Sequence, residues 1–167
     1  SKSLDAKYIL YFHNDPLTMK GSKSAKERLV LLDNVDKIIF VSRWTQNQFF
    51  KNIDKKLIQK TEVVYPSIHK SKKIFKKKNN IVFIGKLNAS KGYDIYKDAI
   101  SKILNLNKNW NAYSIGDESR DRPHIKHKRH LELGFLKHKD VLRFLDKSEI
   151  AVVPSRWEEP FGRTALE

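Results

Sequence analysis

The sequence predicts an α/β fold built on parallel sheets, and two patterns carry this prediction. Short apolar runs typical of buried strands recur along the chain, and segments with helical spacing separate them. Turn-forming glycine or proline follows several of these runs, as at Gly85, Gly116 and Pro154. Hydrophobic residues make up 40% of the 167 residues and aromatic residues 11%. This composition supports a folded core and excludes wholesale disorder.

The first series of strands and helices occupies residues 1–68. Strands are predicted at residues 8–12, 37–41 and 61–65, where the chain is apolar or aromatic. A helix is predicted over residues 22–32, because apolar side chains recur there at helical spacing and Ser24 with Glu27 resembles a capping box. Ser42 is predicted to cap a second helix over residues 43–51.

A lysine-rich, polar segment at residues 69–80 is the predicted linker to a second series over residues 81–167. In the second series, strands are predicted at residues 81–84, 110–115, 131–135 and 149–153, and helices at residues 93–106 and 139–147. A last helix is predicted to begin near Arg163 and has room for about one turn, which is unstable without packing. We therefore expect the sequence to be a piece of a longer protein.

The strongly basic charge favours anionic partners. Lys and Arg number 34 and Asp and Glu 19, which gives a net charge of +15. The densest lysine run, from Lys70 to Lys78, has one nearby aromatic residue, Phe75, and lacks the repeated aromatic residues of a stacking platform for nucleic acid. Nucleic acid is therefore not the expected partner. The run is interpreted as a solvated linker, with contact to a polyanion or an acidic membrane as the alternative.

Several classes of site lack support in the sequence. There is no cysteine, which excludes disulfides, thiolate metal sites and a cysteine nucleophile. No Gly-x-Ser-x-Gly, Walker or zincin motif supports a hydrolase or nucleoside triphosphatase. His124, His127 and His130 are three apart, but neighbouring cations and the lack of acidic ligands in that run disfavour a metal site. No apolar run approaches the roughly 18 residues of a membrane span, and a cytoplasmic location is expected, with peripheral contact at the inner membrane face as an option.

A first candidate site follows the strand at residues 81–84. Gly85 lies at the carboxyl end of that strand, where parallel sheets place their ligands. Lys86 and Lys91 lie on the following loop and could converge on a diphosphate, with help from backbone N–H groups at the next helix start. The alternative is a turn glycine beside two solvated lysines.

A second candidate site lies at residues 154–167. Pro160 and Gly162 shape a loop before a helix, whose free N–H groups point toward the crevice. Glu159 and Glu167 are eight residues apart and could both accept hydrogen bonds from the hydroxyls of one sugar. The alternative is one loop acid and one solvated helix acid. His13, just past the first strand, could bond a hydroxyl or a phosphate, or be structural.

These segments resemble one enzyme family, the retaining glycosyltransferases of the GT-B fold, family four, the glycogen-synthase-like "glycosyl transferases group 1". Residues 84–92 resemble its Gly-Arg-Leu…Lys-Gly segment. Residues 153–167 resemble its Pro-Ser…Glu-Pro-Phe-Gly…Glu signature of paired glutamates. Residues 41–45 and 63–68 resemble segments near the end of its acceptor-side domain.

The resemblance implies a fold and a domain division. Both parts would be Rossmann-like parallel sheets of the GT-B type, each incomplete. Residues 1–68 would be the C-terminal part of the acceptor-side domain, and residues 81–167 the N-terminal part of the nucleotide-sugar-binding domain, truncated after Glu167. We expect the exposed apolar sheet faces of such a fragment to favour self-association.

The resemblance also implies a reaction, namely transfer of a hexose from a nucleotide-diphosphate sugar to a glycan or lipid hydroxyl with retention, as in cell-surface polysaccharide or glycan biosynthesis. Lys86 and Lys91 would neutralise the diphosphate without a metal or other cofactor, with Gly85 and Gly162 also at the donor site. Glu159 would bind the donor sugar and His13 would face it, both as catalytic residues, and Glu167 would bind the ribose hydroxyls.

Two departures from the family pattern accompany this resemblance. Lys86 replaces the usual arginine, which keeps the charge but loses the bidentate fork. Pro66 and Ser67 stand where many relatives have Asn-Gly. The fragment is expected to bind a donor weakly or not to turn over at all. The rival hypothesis is a non-catalytic basic α/β module that binds polyanions or an acidic membrane surface.

Overall fold

The computed structural model describes residues 6–68, 75–120 and 124–167. The chain divides into two compact units, one of Ser1–Ser67 with Glu159–Gly162 and the other of Ile68–Glu158 with Arg163–Glu167. Both units contain parallel sheets, so the predicted α/β fold class is confirmed. No helix in the described ranges is long and apolar enough to cross a membrane.

The first unit is a three-stranded parallel sheet in the order β1-β2-β3. The strands are β1 (Ile9–Phe12), β2 (Lys37–Phe40) and β3 (Thr61–Val63). Helices α1 (Ala25–Asn34) and α2 (Arg43–Phe49) connect them, and a 3₁₀ helix (Lys55–Lys60) leads into β3. Its core is an aromatic cluster in which the rings of Phe12, Phe40 and Phe49 lie 5.1–6.0 Å apart.

The second unit is a four-stranded parallel sheet in the order β6-β5-β4-β7. The strands are β4 (Lys78–Ile84), β5 (Asn111–Ile115), β6 (His130–Gly134) and β7 (Ser148–Val152). A 3₁₀ helix (Ala89–Lys91) precedes α3 (Tyr93–Leu106), and α4 (His138–Asp146) and α5 (Arg163–Leu166) follow β6 and β7. The central strand β4 is buried on both faces, as expected for a sheet covered on both sides.

Side chains of β4 point alternately to the two faces of the sheet and pack into two separate hydrophobic cores. Ile81 and Phe83 pack with α3 residues on one face. Val82 packs with Ile115 of β5 and Val141 of α4 on the other face. The two faces carry different helices, which is the doubly wound arrangement that places ligands at the carboxyl edge of the sheet.

The structure corrects the predicted limits of several elements. Strand β4 begins at Lys78, so the last three residues of the predicted linker belong to the sheet, while residues 69–74 lie outside the described ranges. Asn80 pairs in register with Asn111, and Lys78 with Ser148. Lys78 and Asn79 are exposed at the amino edge of the sheet, and Asn80 is buried but polar, so the apolar run marked only residues 81–84 of the strand.

The first helix also begins later than predicted. Ser24 is its N-cap, and the capping box with Glu27 is present, so the helix starts at Ala25 rather than at residue 22. The short 3₁₀ helices at Lys55–Lys60 and Ala89–Lys91 were not predicted, because such short segments have no apolar period to identify them.

Candidate functional site

Three glycines line the carboxyl edge of the second sheet. Gly85 follows β4, Gly116 follows β5, and Gly134 ends β6. The Gly85 N–H donates to Ile115 O at 3.0 Å, and the Gly116 N–H donates to Gly134 O at 2.9 Å. A Cβ on Gly116 would lie 1.9 Å from Gly85 O. The ends of β4 and β5 therefore approach closely, and glycine at position 116 permits this contact.

Gly85 was predicted from its place after a strand, whereas no role was predicted for Gly116 and Gly134. The available signal was a glycine after each of three consecutive apolar runs. The close approach of Gly116 to Gly85 could not be read from the sequence, because it depends on the register between two strands.

The loop after Gly85 carries the two predicted lysines. Asn88 shapes this loop: its Oδ1 accepts from the Lys91 backbone N–H at 3.2 Å, and its Nδ2 donates to Glu118 Oε2 at 2.9 Å. The Lys91 side chain passes beside Gly85, with Cγ 3.8 Å from the position that a Cβ there would take. Lys86 is exposed on the same loop. The structure thus brings Gly85 and Lys91 together and leaves the Lys86 charge facing solvent.

The loop after β7 is attached to this lysine loop. The backbone N–H groups of Arg156 and Trp157 both donate to Ser90 O, at 3.0 and 3.1 Å. The Lys91 ammonium lies 5.3 Å from the centroid of the Trp157 ring, a cation–π distance. Gly92 permits this contact, because a Cβ there would lie 2.0 Å from the carbonyl oxygen of Pro154. Two segments separated by about 65 residues in sequence therefore form one surface within the second unit.

Arg156 fixes the same loop to helix α3. Its Nη1 donates to Asp94 Oδ1 at 2.7 Å and to Ala89 O at 3.1 Å. The hydrogen bond from Arg156 lowers the pKa of the Asp94 carboxyl below its usual value. The sequence predicted no role for Arg156 and Trp157, which lie in the second candidate site at residues 154–167. The presence of a guanidinium and an aromatic ring in a loop expected to face a ligand could have indicated a role for both residues.

An acidic side chain joins the loop after β5 to the lysine loop. Glu118 accepts from Arg120 through both carboxylate oxygens, at 2.9 and 2.8 Å, as well as from Asn88. These hydrogen bonds, from Arg120 first, hold the pKa of Glu118 far below its usual value. Glu118 and Arg120 line a cavity of about 380 Å³ with Asn88, Ala89 and Ser90. The cavity is lined by parts of both loops at the carboxyl edge.

The segment Glu159–Gly162 belongs to the first unit. The Ser42 hydroxyl donates to Pro160 O at 2.5 Å, and the Phe161 ring lies 6.0 Å from the Tyr65 ring. Glu159 is half-buried, Pro160 is buried, and Gly162 adopts a positive φ of 65°. Ser42, predicted only as a helix cap, thus also holds the loop that carries the first predicted glutamate.

Glu167 lies in the second unit, where His138 and Arg163 contact its carboxylate. Its Oε1 is 2.9 Å from His138 Nε2 and 3.2 Å from Arg163 Nη2. Its side chain is 8% exposed. The first residue of α4 and the first residue of α5 therefore orient this carboxylate. No role was predicted for His138, and only its place after the predicted strand at residues 131–135 could have indicated one.

His13 directly follows β1 and is exposed, with its ring 4.2 Å from the Tyr11 ring in an edge-on contact. This places His13 at the carboxyl edge of the first sheet, as the sequence predicts. Its contact with a donor sugar stays a prediction.

The three spaced histidines have separate environments. His130 is buried and shares a 2.8 Å hydrogen bond between its Nε2 and Ser114 Oγ. His127 Nδ1 accepts from the Arg129 backbone N–H. Within the described residues, no group of three or more His, Asp or Glu side chains is arranged to hold a metal ion.

Residues 64–167, more than half of the chain, match the family described as "Glycosyl transferases group 1". The chain belongs to this glycosyltransferase family. An uncharacterized glycosyltransferase of Methanocaldococcus jannaschii is 32% identical over 98% of this chain and 46% of its own length. An uncharacterized 42.6 kDa protein in the cps region of Klebsiella pneumoniae is 28% identical over 95% of this chain and 43% of its own. The chain thus spans less than half of each of these relatives.

Solved structures of glycosyltransferases share the fold. The match to TarM covers 98% of this chain and 34% of the TarM chain, with a TM-score of 0.68 and 11% sequence identity. The match to HepE of Anabaena in complex with UDP covers 93% of this chain and 49% of the HepE chain, with a TM-score of 0.67 and 17% sequence identity. The match to the pneumococcal O-GlcNAc transferase GtfA, in complex with UDP and GlcNAc, covers 93% of this chain and 34% of the GtfA chain. Its TM-score is 0.60 and its sequence identity 14%. These likenesses establish the GT-B type of fold for this family member.

Proposed function

We propose that the whole protein transfers a hexosyl group from a uridine-diphosphate sugar to a hydroxyl of a glycan or lipid acceptor, with retention at the anomeric carbon. The single observation that carries this proposal is the glycine-lined carboxyl edge with Lys91 packed against Gly85. Such an edge admits a diphosphate close to backbone N–H groups, with a cation beside it. The choice of uridine is supported by HepE and GtfA, whose structures hold UDP.

Each predicted residue has a role in this proposal. Lys86 and Lys91 neutralise the diphosphate, while Gly85 and Gly162 let the backbone approach the donor. Glu159 and His13 bond the hydroxyls of the donor sugar.

Glu167 accepts hydrogen bonds from the ribose through its Oε2 atom, since His138 and Arg163 both contact Oε1. Carboxylates suit this task because they accept hydrogen bonds and donate none.

The chemical step breaks the bond between the anomeric carbon and the oxygen of the leaving diphosphate. The acceptor oxygen bonds to the same face of that carbon, and the proton of the acceptor hydroxyl passes to the departing phosphate oxygen. Negative charge grows on the diphosphate as the bond breaks, so cations already in position lower the barrier. Lysine charge at the diphosphate is proposed to do this without a metal, as the family resemblance implies.

A calorimetric titration tests the donor pocket. The chain is titrated with UDP, GDP, ADP and UDP-glucose at two salt concentrations, with tripolyphosphate as the charge control. We expect saturable binding of UDP and UDP-glucose that persists at the higher salt. A response to tripolyphosphate alone, lost at the higher salt, would contradict the proposal and favour a polyanion-binding module, which the net charge of +15 also suits.

Substitution of two predicted site residues provides the second test. In the Lys91→Ala, Glu159→Ala double variant, we expect UDP-glucose to bind at least tenfold more weakly, because one diphosphate cation and one sugar acceptor are lost (each worth about 1 kcal/mol or more). Lys108→Ala is the matched control, since Lys108 is exposed on the turn after α3. Equal affinity in the double variant and the parent would refute the assigned roles.

A further inference from the structure

A polar pocket lies at the opposite edge of the second sheet, between the amino ends of β4 and β5 and helix α4. Its volume is about 420 Å³. The strands contribute Lys78, Asn80 and Asn111, and the helix and its C-cap contribute Arg143, Phe144 and Lys147. Parallel sheets place their ligands at the carboxyl edge, so the donor site proposed above does not account for this pocket.

Asn80 is one of the residues that line the pocket. It shares a face of β4 with Val82, the face that α4 covers, and it is only 8% exposed. Among the residues that the structure describes, none forms a hydrogen bond with its side-chain amide. A buried amide without a partner is destabilising, because it has lost its hydrogen bonds to water. The amide is therefore available to a ligand in the pocket.

The charge of the pocket is positive. Lys78, Arg143 and Lys147 supply three cations, and one lining carboxylate, Asp140, lies 3.4 Å from Arg143. The net charge of the lining is thus +2, which favours an anion. Arg143 adds a planar fork of donors, the geometry that matches phosphate oxygens.

The negative end of the α4 dipole is partly offset, because donors bond several carbonyl groups at its C-terminus. Leu145 O accepts from Lys77 Nζ at 3.2 Å, and Phe144 O accepts from Ser148 Oγ at 2.8 Å. Lys147 O accepts from the backbone N–H that begins β4 at 2.9 Å.

An aromatic pair forms part of the pocket wall. The rings of Tyr113 and Phe144 meet edge to face with centroids 4.7 Å apart. An apolar wall excludes water from one side of a bound anion and strengthens the hydrogen bonds on the other. We infer that this pocket binds a phosphate dianion or a phosphate monoester, with Asn80 donating its amide N–H and Arg143 and Lys147 supplying the charge.

Nuclear magnetic resonance of the isotope-labelled chain tests this inference at the pocket itself. Inorganic phosphate is titrated against chloride at constant ionic strength while the side-chain amide signals of Asn80 and Asn111 are followed. We expect saturable shifts of the Asn80 amide. In the Arg143→Gln, Lys147→Gln double variant the affinity should fall about tenfold, because two charge-assisted contacts are lost. Lys108→Gln should leave the affinity unchanged.

The same spectra separate this site from the proposed donor site, whose backbone amides at Gly85 and Lys91 report on phosphate independently. The backbone signals of the double variant also verify its fold, and the Arg143 side chain is 72% exposed, so little packing is lost. An Asn80 amide that does not respond to phosphate, or that responds equally in the double variant, would overturn the inference whatever happens at the donor site.

A second arm identifies the source of the phosphate group. Glycerol 3-phosphate in solution is compared with sedimentation of the chain on vesicles containing phosphatidic acid. Vesicle binding that is lost in the Arg143→Gln, Lys147→Gln variant would assign the pocket to a lipid headgroup. Vesicle binding that the substitutions leave unchanged, with glycerol 3-phosphate still shifting the Asn80 amide, would assign it to a soluble phosphate ester.

Discussion

At the scale of single residues, the glycines of the second sheet set how closely backbone segments approach. Gly116 has a φ of 142°, a conformation that favours glycine, and its α-carbon faces the carbonyl oxygen of Gly85. A side chain at position 116 would therefore have no room. The edge at which we propose the diphosphate to bind therefore depends on residues that contribute no side-chain chemistry.

Gly116→Ala is expected to destabilise the chain by about 2 kcal/mol or more, because the added Cβ would clash with Gly85 O and the positive φ would be strained. Denaturant unfolding measures the effect. Gly134→Ala is the matched control: its φ of 66° is also strained, but nothing lies within 4 Å of the added Cβ, so about 1 kcal/mol is expected. Equal losses in the two variants would show that the close approach is unimportant.

His130 couples the stability of the second unit to pH. Burial lowers the pKa of its imidazole below the usual 6.5, so the folded state keeps the ring neutral. As pH falls below about 6.5, the unfolded chain takes up a proton before the folded chain does. The free energy of unfolding should therefore decrease from about pH 6.5 down to the folded pKa, and this contribution should be fully present above pH 6.5.

The measurement is the free energy of unfolding of the parent and of His130→Gln at pH 7.5 and pH 5.5. We expect the parent to lose more stability over this interval than the variant, which cannot titrate at that position. Comparing the two pH values within each protein removes the part of the substitution's effect on stability that does not depend on pH. Parallel pH dependences in the two proteins would count against a role of His130.

At the scale of secondary-structure elements, a buried arginine joins two helices of the first unit. Arg28 of α1 is 2% exposed and donates to four backbone carbonyls. Its Nε donates to Phe49 O at 2.7 Å, at the last residue of α2, and its Nη2 donates to Lys51 O at 2.7 Å, two residues further on. Its Nη1 bonds the carbonyls of Ser22 and Lys23, just before α1. Burial lowers the pKa of this guanidinium.

Arg28→Lys should destabilise the chain by about 2 to 4 kcal/mol, because a lysine ammonium cannot reach four carbonyls that lie in different directions. Arg43→Lys is the control, since Arg43 is exposed, and its effect should stay within about 0.5 kcal/mol. Thermal and denaturant unfolding provide the measurement. A loss below about 1 kcal/mol for Arg28→Lys would mean that the helix junction does not need the guanidinium.

At the scale of the whole molecule, the net charge of +15 acts on stability as well as on binding. Like charges repel more strongly in the compact state than in the extended chain, and salt screens this repulsion. The Debye length falls from about 30 Å at 0.01 M to about 8 Å at 0.15 M ionic strength. Sodium chloride should therefore stabilise the folded chain over this range.

We expect the Tm to rise by several degrees between these two salt concentrations. The variant Lys55→Gln, Lys56→Gln, Lys128→Gln removes three exposed charges and should show a smaller rise. Scanning calorimetry in a buffer without phosphate measures both. A Tm that does not depend on salt in the parent would show that self-repulsion contributes little.

The sequence by itself predicted the alternation of strands and helices, the parallel sheets and the family. Buried strands and amphipathic helices carry their periodicity locally, so residues 81–84 and 93–106 could be assigned without a structure. The same local pattern placed Gly85 and Lys91 at the carboxyl edge, because a residue that follows a parallel strand must lie there. The amino-edge residue Lys78 and the 3₁₀ turns were not predicted, since neither has an apolar signal.

Only the tertiary structure decided which distant groups meet. The contact of Lys91 with Trp157, the hydrogen bond between His138 and Glu167, and the hydrogen bonds from Arg28 to Phe49 and Lys51 each join segments far apart in sequence. Such contacts depend on strand register and on the path of the connecting loops, which the burial pattern of one segment does not specify. The sequence therefore determined which residues reach the sheet edges, and the packing of the folded chain determined their partners there.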